Sequence, residues 1–244
     1  ARGEGADIPG DIYPVLYWGS TLTVRFPSRD FEALAEAEHV VREIAPAEGL
    51  LLTQFDAEPS YAGKTLAEIA ASRQASPART LIDLIRMAEV LRKETGDGGE
   101  SVIGTSMTEP DLERLMAWPQ MNFCTDGDLD GGHPRGYGTY PRVLGRYVRE
   151  RRILSLEEAV RKMTSLPAAH MGLSDRGQVR PGLAADLVLF DPKTVIDRAT
   201  TRDPHAVSEG IRTVWVRGET VYDRGLATGR RPGAVLRRPA RQGG

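Results

Sequence analysis

Asp126 has the setting in this sequence most suited to chemistry. It follows a short apolar run, Met121-Asn-Phe-Cys-Thr125, and precedes Gly127. In α/β barrels and open sheets, working residues gather at the carboxyl ends of strands. An aspartate there can ligate a metal or serve as a general base. An Asp-Gly pair is also an ordinary turn, and the residues alone leave both readings open. His133-Pro134-Arg135 follows in the same glycine-rich loop. The planar fork of Arg135 suits a carboxylate, although a solvated loop arginine is the commoner case. Asp128 and Asp130 crowd the loop and either raise the pKa of Asp126 or face water.

Other polar groups read as structural. Cys124 shares a strand face with Asp126 by alternation, but no histidine is near it in sequence, so it reads as a buried thiol. Tyr13 and Tyr17 bracket Pro14; a tyrosine at a strand end can donate to a substrate oxygen or simply pack in the core. The four histidines stand at 39, 133, 170 and 205, which excludes a local cage such as H-x-x-x-H. His39, among Glu36, Glu38 and Glu43, reads as exposed. His170 reads as structural in the last turn of a helix, and His205 as structural in the Asp203-Pro204 turn.

Composition narrows the classes. Of 244 residues, 40% are hydrophobic and 27% charged, an ordinary globular balance. No run approaches a membrane-spanning length, and Ala1-Arg2-Gly3-Glu4-Gly5 lacks the apolar stretch of a signal peptide. A net charge of −2 implies no polyelectrolyte partner. The single cysteine excludes a disulfide framework and suits a reducing, cytoplasmic setting. The tail carries Arg230, Arg231, Arg237, Arg238 and Arg241, but it lacks interleaved aromatics. Pro232 and Pro239 also forbid a basic helix there, so no nucleic-acid or membrane partner is expected.

The elements that must position these residues fall into three parts. Ile8 to Trp18 is β-branched and aromatic, broken by Pro9, Gly10 and Pro14, and predicts a strand. Ser28 predicts a helix to Ile44 with Phe31, Leu34, Val41 and Ile44 on one face. Thr65-Leu-Ala-Glu68 is a capping box. Ser76-Pro77 starts a helix that stops near Gly96, and another runs from Thr108 to before Pro119. Residues 121–125 predict a strand. Ser155-Leu-Glu-Glu158 is a second capping box, and Gly172 a helix stop. Beyond it the chain is β-rich: a strand at 185–190 closed by Asp191-Pro192, then a hairpin turning at Arg217-Gly218. Two visible strands with about five helices do not close a barrel, so an incomplete α/β part followed by a β part is expected.

Three stretches resemble the D-aminoacylase family, the N-acyl-D-amino-acid deacylases of the amidohydrolase superfamily. They are Thr125-Asp126-Gly127, the run His133-Pro-Arg-Gly-Tyr-Gly-Thr-Tyr-Pro-Arg-Val-Leu-Gly-Arg-Tyr-Val-Arg149, and Leu156 to Pro167. Asp175-Arg-Gly177, Gly182 to Pro192 and Gly229 to Arg237 continue the likeness, and Asp11-Ile-Tyr-Pro14 with Gly19-Ser-Thr21 looks like that family's seventh barrel strand. The resemblance implies the C-terminal part of a (β/α)8 amidohydrolase barrel, strands seven and eight. That part would occupy residues 1–173, with a helical lid insertion at about 22–118, followed by part of a small β-sandwich over 174–244.

The same resemblance implies an activity: zinc-dependent hydrolysis of N-acyl-D-amino acids to a carboxylate and a free D-amino acid. Asp126 falls on the family's catalytic aspartate and on a possible second, weak metal site. Arg135 falls on the substrate carboxylate contact, with Tyr13 and His133 as further substrate-binding candidates. The remaining zinc ligands, a His-x-His pair, a cysteine and two histidines, belong to strands one to six and have no counterpart here. Cys124 lies on the wrong strand to be the ligand cysteine. An N-terminal half on another chain, or removed, is the implied partner. Thr125 stands where the family has serine, and Val15 where it has a second tyrosine. Two other readings remain: a cyclic-amide hydrolase of the same architecture, and a non-catalytic half-barrel acting as an interaction surface.

Overall fold

The computed structural model of the protein describes residues 8–128 and 131–237. The opening residues Ala1–Gly5, Asp130, and Arg238, Pro239 and Arg241 of the tail lie outside the described residues. β1 (Gly10–Ile12) is followed across Pro14 by β2 (Tyr17–Ser20), β3 (Leu50–Phe55) and β4 (Glu100–Thr105). β5 (Met121–Phe123) then returns to pair with β1 in parallel, with Gly10 opposite Met121, Asp11 opposite Asn122 and Ile12 opposite Phe123. The single strand expected over 8–18 is therefore two strands in two different sheets. Pro14 has no N–H to give a ladder and separates them.

Two three-residue strands cannot hold themselves together in water. Their helices hold them. Ile12, Met121 and Phe123 point one way into a core with Leu112, Met116, Val143, Tyr147 and Ala159. Each such side chain contributes about 1.5–3 kcal/mol on burial. Three helices supply that core: α4 (Glu109–Ala117), the segment after α5 (Arg135–Arg142), and α6 (Leu156–Met163), which is followed directly by α7 (Ser165–Met171). The segment after α5 is a π-helix, Val143–Glu150. Pro141, two residues before it, lacks the N–H that the α ladder needs there. On the other side of the strand pair, Asn122 donates to Asp11 at 3.0 Å.

The region between the paired strands departs from the expected helical insertion. It contains the antiparallel sheet β2-β4-β3 as well as helices. Leu50-Leu-Leu52 and Val102-Ile103 are short apolar runs, which periodicity cannot separate from buried helix. One face of this sheet, with Trp18, Leu50, Leu52 and Val102, packs on Leu66, Ile69, Leu81, Ile82, Leu84 and Ile85. Those residues belong to two helices, α2 (Leu66–Ser72) and α3 (Pro77–Thr95). The first starts on the complete Thr65/Glu68 capping box. The second starts on Ser76 with Pro77 at its first turn and ends on Gly96 at φ 86°. The helix expected from Ser28, α1 (Leu34–His39), starts instead at Leu34, because the Ser28 hydroxyl and amide both donate to the Glu36 carboxylate. Its buried positions are Ala37 and Val40, and Leu34 faces outward. Thr108 caps α4 as expected, and Gly172 ends α7 at φ 73°. Ser155 caps α6 through the Glu158 amide.

The last part forms a four-stranded antiparallel sheet in sequence order: β6 (Leu187–Phe190), β7 (Ile211–Val216), β8 (Glu219–Asp223) and β9 (Leu226–Ala227). Arg217 and Gly218 both take positive φ, 51° and 79°, as a two-residue hairpin with a right-handed twist requires. No helix among the described residues is long and apolar enough to cross a membrane.

Lys162 is fully buried at the back of the strand pair. Its ammonium donates to the Met116 carbonyl at 2.7 Å and to that of Trp118, capping the end of α4. Lys162→Met preserves the stem and leaves these carbonyls without their charged donor. We expect a loss of about 2–4 kcal/mol, since hydrogen bonds to charged groups contribute more than neutral ones. Urea denaturation checks it, and an unchanged midpoint refutes the capping role.

Candidate active site

β5 ends at Phe123, but the Cys124 amide still donates to the Ile12 carbonyl at 3.0 Å. The chain then turns away. Asp126 adopts φ 46°, a left-handed conformation that aspartate tolerates better than most residues. Gly127 lies so close to Gly136 that a Cβ on it would come within 2.5 Å of the Gly136 Cα. Two backbones thus touch, and the start of α5 is pressed against the turn that carries Asp126.

This contact brings Arg135 to Asp126. Their ion pair measures 2.8 Å from Nη1 to Oδ2. The arginine side chain is 13% exposed and the aspartate 60%, so a fixed guanidinium meets an accessible carboxylate. The guanidinium carbon also lies 4.9 Å over the Tyr13 ring. Arg135 Nε is buried and has no hydrogen-bond partner among the described residues. Burial pushes the Tyr13 hydroxyl above its ordinary range; the Arg135 charge opposes this and the Asp126 charge adds to it. Tyr13 is therefore a neutral donor at physiological pH.

His133 is held from both sides. Its Nδ1 accepts the Arg135 amide at 3.2 Å, so its Nε2 carries the proton and donates to the Tyr17 carbonyl, also at 3.2 Å. The ring packs against Tyr17 at 5.2 Å and edge-on to Tyr13 at 6.2 Å. Burial, reinforced by the Arg135 charge, pushes its pKa down to about 4. Cys124 is half-buried, and burial raises its thiol pKa with Asp11 and Asp126 adding to the effect. It is a thiol and not a thiolate, as its sequence setting implies.

The structure thus gathers Asp126, Arg135, Tyr13 and His133 into one cluster, from segments more than a hundred residues apart. The insertion completes its surroundings. A Cβ on Gly19 of β2 would sit 2.9 Å from His133, and one on Gly132 would sit 3.0 Å from Thr53 of β3. Neither contact has a sequence signature. His39 is exposed and stands apart. His170 Nδ1 lies 3.0 Å from the Asn122 side-chain oxygen, a structural role. His205 is the unexpected one: its Nε2 lies 3.1 Å from the Gly131 carbonyl and its ring 5.0 Å from that of Tyr137.

Among the described residues no three His, Cys, Asp or Glu side chains converge as a metal site. Asp126 is one donor, whereas a catalytic zinc takes about three protein ligands. A cavity of about 790 Å³ lies elsewhere, between Tyr140, Leu144, Val160 and Met163 on the helices and Leu187 and Phe190 on β6. It is apolar and does not include Asp126.

The Amidohydrolase family model matches residues 120–222, from just before β5 through the last-but-one strand. A D-aminoacylase from Alcaligenes xylosoxydans xylosoxydans is 40% identical over 184 residues, which is 75% of this chain and 35% of that protein. An N-acyl-D-glutamate deacylase from the same organism is 37% identical over 242 residues, 98% of this chain and 43% of that one. Over nearly its whole length the chain is similar to members of the D-aminoacylase family. A solved member of the family, an N-acyl-D-glutamate deacylase from Bordetella bronchiseptica complexed with zinc and a phosphonate inhibitor, superposes with a TM-score of 0.73 at 33% identity. That match covers 94% of this chain and 42% of the other. The chain therefore spans about two fifths of the length of these family members.

The neutral His133 predicts a pH dependence. The unfolded chain takes up its proton near pH 6.5, while the folded chain resists until about pH 4. The stability it contributes is complete above pH 6.5 and is lost as pH falls towards 4, by at most about 3 kcal/mol. Urea midpoints measured between pH 7 and 4 should fall less steeply in His133→Asn than in the parent. Identical slopes contradict the assignment.

Proposed function

We propose that this chain is the C-terminal portion of an N-acyl-D-amino-acid deacylase, carrying the last two barrel strands, β1 and β5, and part of a β-sandwich. The substrate is an N-acyl-D-amino acid and the products are a carboxylate and the free D-amino acid. The observation that carries this reading is the Asp126–Arg135 pair beside Tyr13 at the carboxyl ends of two parallel strands. It gives an accessible carboxylate and a fixed planar cation in one place. The family relationship supports it.

In this reading Asp126 accepts a proton from the attacking water as the water oxygen bonds to the amide carbon. It then delivers that proton to the amine nitrogen as the C–N bond breaks. Arg135 pairs its fork with the substrate α-carboxylate. Tyr13, neutral and adjacent, donates to a substrate oxygen. His133, expected from the resemblance to touch substrate, has both ring nitrogens committed to backbone groups. Its part is to hold the Arg135 amide and the loop.

Zinc, when bound, makes hydroxide available near neutral pH and polarises the carbonyl. The described residues do not themselves form its site, and Asp126 is the one donor they offer, including to a second, weaker ion. The other ligands come from sequence that this chain does not contain, on a partner polypeptide or on a longer form of the same one. The insertion, with its sheet against the loop, forms the side of the site that faces the substrate.

Three outcomes test this. In the assembled enzyme Asp126→Asn lowers kcat by about 10²–10⁴-fold, as loss of a general acid–base does, while zinc content stays the same. Parent-like turnover of N-acetyl-D-amino acids would end the assignment, and preference for hydantoins would move the chain to the cyclic-amide hydrolases. Arg135→Lys raises KM for N-acyl-D-amino acids, since lysine cannot reproduce the fork. An equal penalty on an N-acyl amine without a carboxylate gives Arg135 a structural role instead. Zinc and activity appear together only when the remaining barrel is present; a monodisperse 244-residue monomer with one tight zinc refutes that.

A further inference from the structure

The connection between β6 and β7, residues 191–210, does not stay with its sheet. This strap lies along α5 and the π-helix that follows, and the contacts are specific. Pro141 cannot donate to the Tyr137 carbonyl four residues earlier. Ser208 Oγ donates to that carbonyl instead, at 3.0 Å. A Cβ on Gly145 would come within 2.7 Å of the Val195 carbonyl, so the strap and helix are in backbone contact there. Arg149 donates to the same Val195 carbonyl at 2.6 Å. His205 meets Gly131 and Tyr137 at the loop end, as described above.

Arg142 is the centre of this arrangement. It is mostly buried. One guanidinium nitrogen, Nη1, pairs with Asp197 of the strap at 2.9 Å, and the Asp197 side chain is 10% exposed. Its Nε donates at 2.8 Å to the Pro14 carbonyl, the residue after Tyr13. One planar cation thus joins the turn that carries Tyr13, the strap, and the helix whose first residue is Arg135. A lysine could reach one of these acceptors but not both, because it offers a point charge in place of a rigid fork.

We infer that Arg142 and Asp197 are positioning residues for substrate carboxylate recognition, clamping the Tyr13 turn to the Arg135 helix through the strap. Neither touches the reacting atoms. They fix the distance between Tyr13 and Arg135, and so the geometry of the pocket that the α-carboxylate enters. The inference rests on the role proposed for Arg135.

The test uses the assembled, zinc-loaded enzyme with Arg142→Lys and, separately, Asp197→Asn. Each should raise KM for an N-acetyl-D-amino acid by about tenfold, the effect of one charge-assisted hydrogen bond, with kcat within about twofold. The N-acyl amine lacking a carboxylate should be unaffected. In an Arg135→Met background, Arg142→Lys should add nothing, because residues acting through one another are non-additive. Equal losses on both substrates, or a full additive loss in that background, overturn the proposal. If Arg135→Met itself penalises both substrates equally, the premise about Arg135 has failed, and the proposal falls with it for a distinguishable reason. Should Arg142→Lys and Asp197→Asn not fold, Ser208→Ala removes only the hydroxyl that serves the Tyr137 carbonyl. It should raise KM two- to threefold on the carboxylate substrate alone, and an unchanged KM overturns the proposal.

Discussion

The parallel pairing of Gly10–Ile12 with Met121–Phe123 is the constraint on which the rest depends. Its register sets Asp11 opposite Asn122. Tyr13 and Asp126 therefore leave the same end of the ladder, with Arg135 between them. A slip of β1 by one residue would turn Ile12 away from Leu112 and Met116 and would send Tyr13 to the helical side. Three residues of ladder cannot enforce that register alone. The apolar contacts on one face and the Asp11–Asn122 hydrogen bond on the other do so together.

The electrostatic order of the site follows from which groups are buried. Arg135 is fixed by Asp126 and the Tyr13 ring, and its charge helps to keep His133 neutral. A neutral His133 can accept from one backbone group and donate to another, which a protonated ring could not. The loop is thereby held by a histidine that stays neutral because it is buried next to a cation. That coupling makes the cluster a single unit in which charge, tautomer and backbone path depend on one another.

Much of this was legible in the sequence where the signal is local. Thr65 with Glu68, Ser76 with Pro77, Gly96 and Arg217-Gly218 each carry their instruction within four residues, and each appears as read. The Asp126, Arg135, Tyr13 and His133 cluster was legible through its motif and not through periodicity. What could not be read depends on distant contacts. Leu50–Phe55 and Glu100–Thr105 become strands because they find each other and Tyr17–Ser20. Asp197 and His205 reach the helix and the loop across 55 and 74 residues of sequence, a distance over which side-chain spacing carries no information. Ser28 looked like a helix cap and was not one, because Glu36 was the better partner for its hydroxyl and amide.

The sheet β2-β4-β3 and the helices packed on it have a hydrophobic core of their own, separate from the one beneath the paired strands, to which α4 contributes. The outer face of that sheet touches the site at Tyr17, Gly19 and Thr53. A cassette built in this way can drift, or be exchanged, without disturbing the register that aligns Tyr13 with Asp126. Side-chain changes on the outer face of β2 and β3 can thus reshape the surface beside His133 and Gly132 while the packing under β1 and β5 stays as it is.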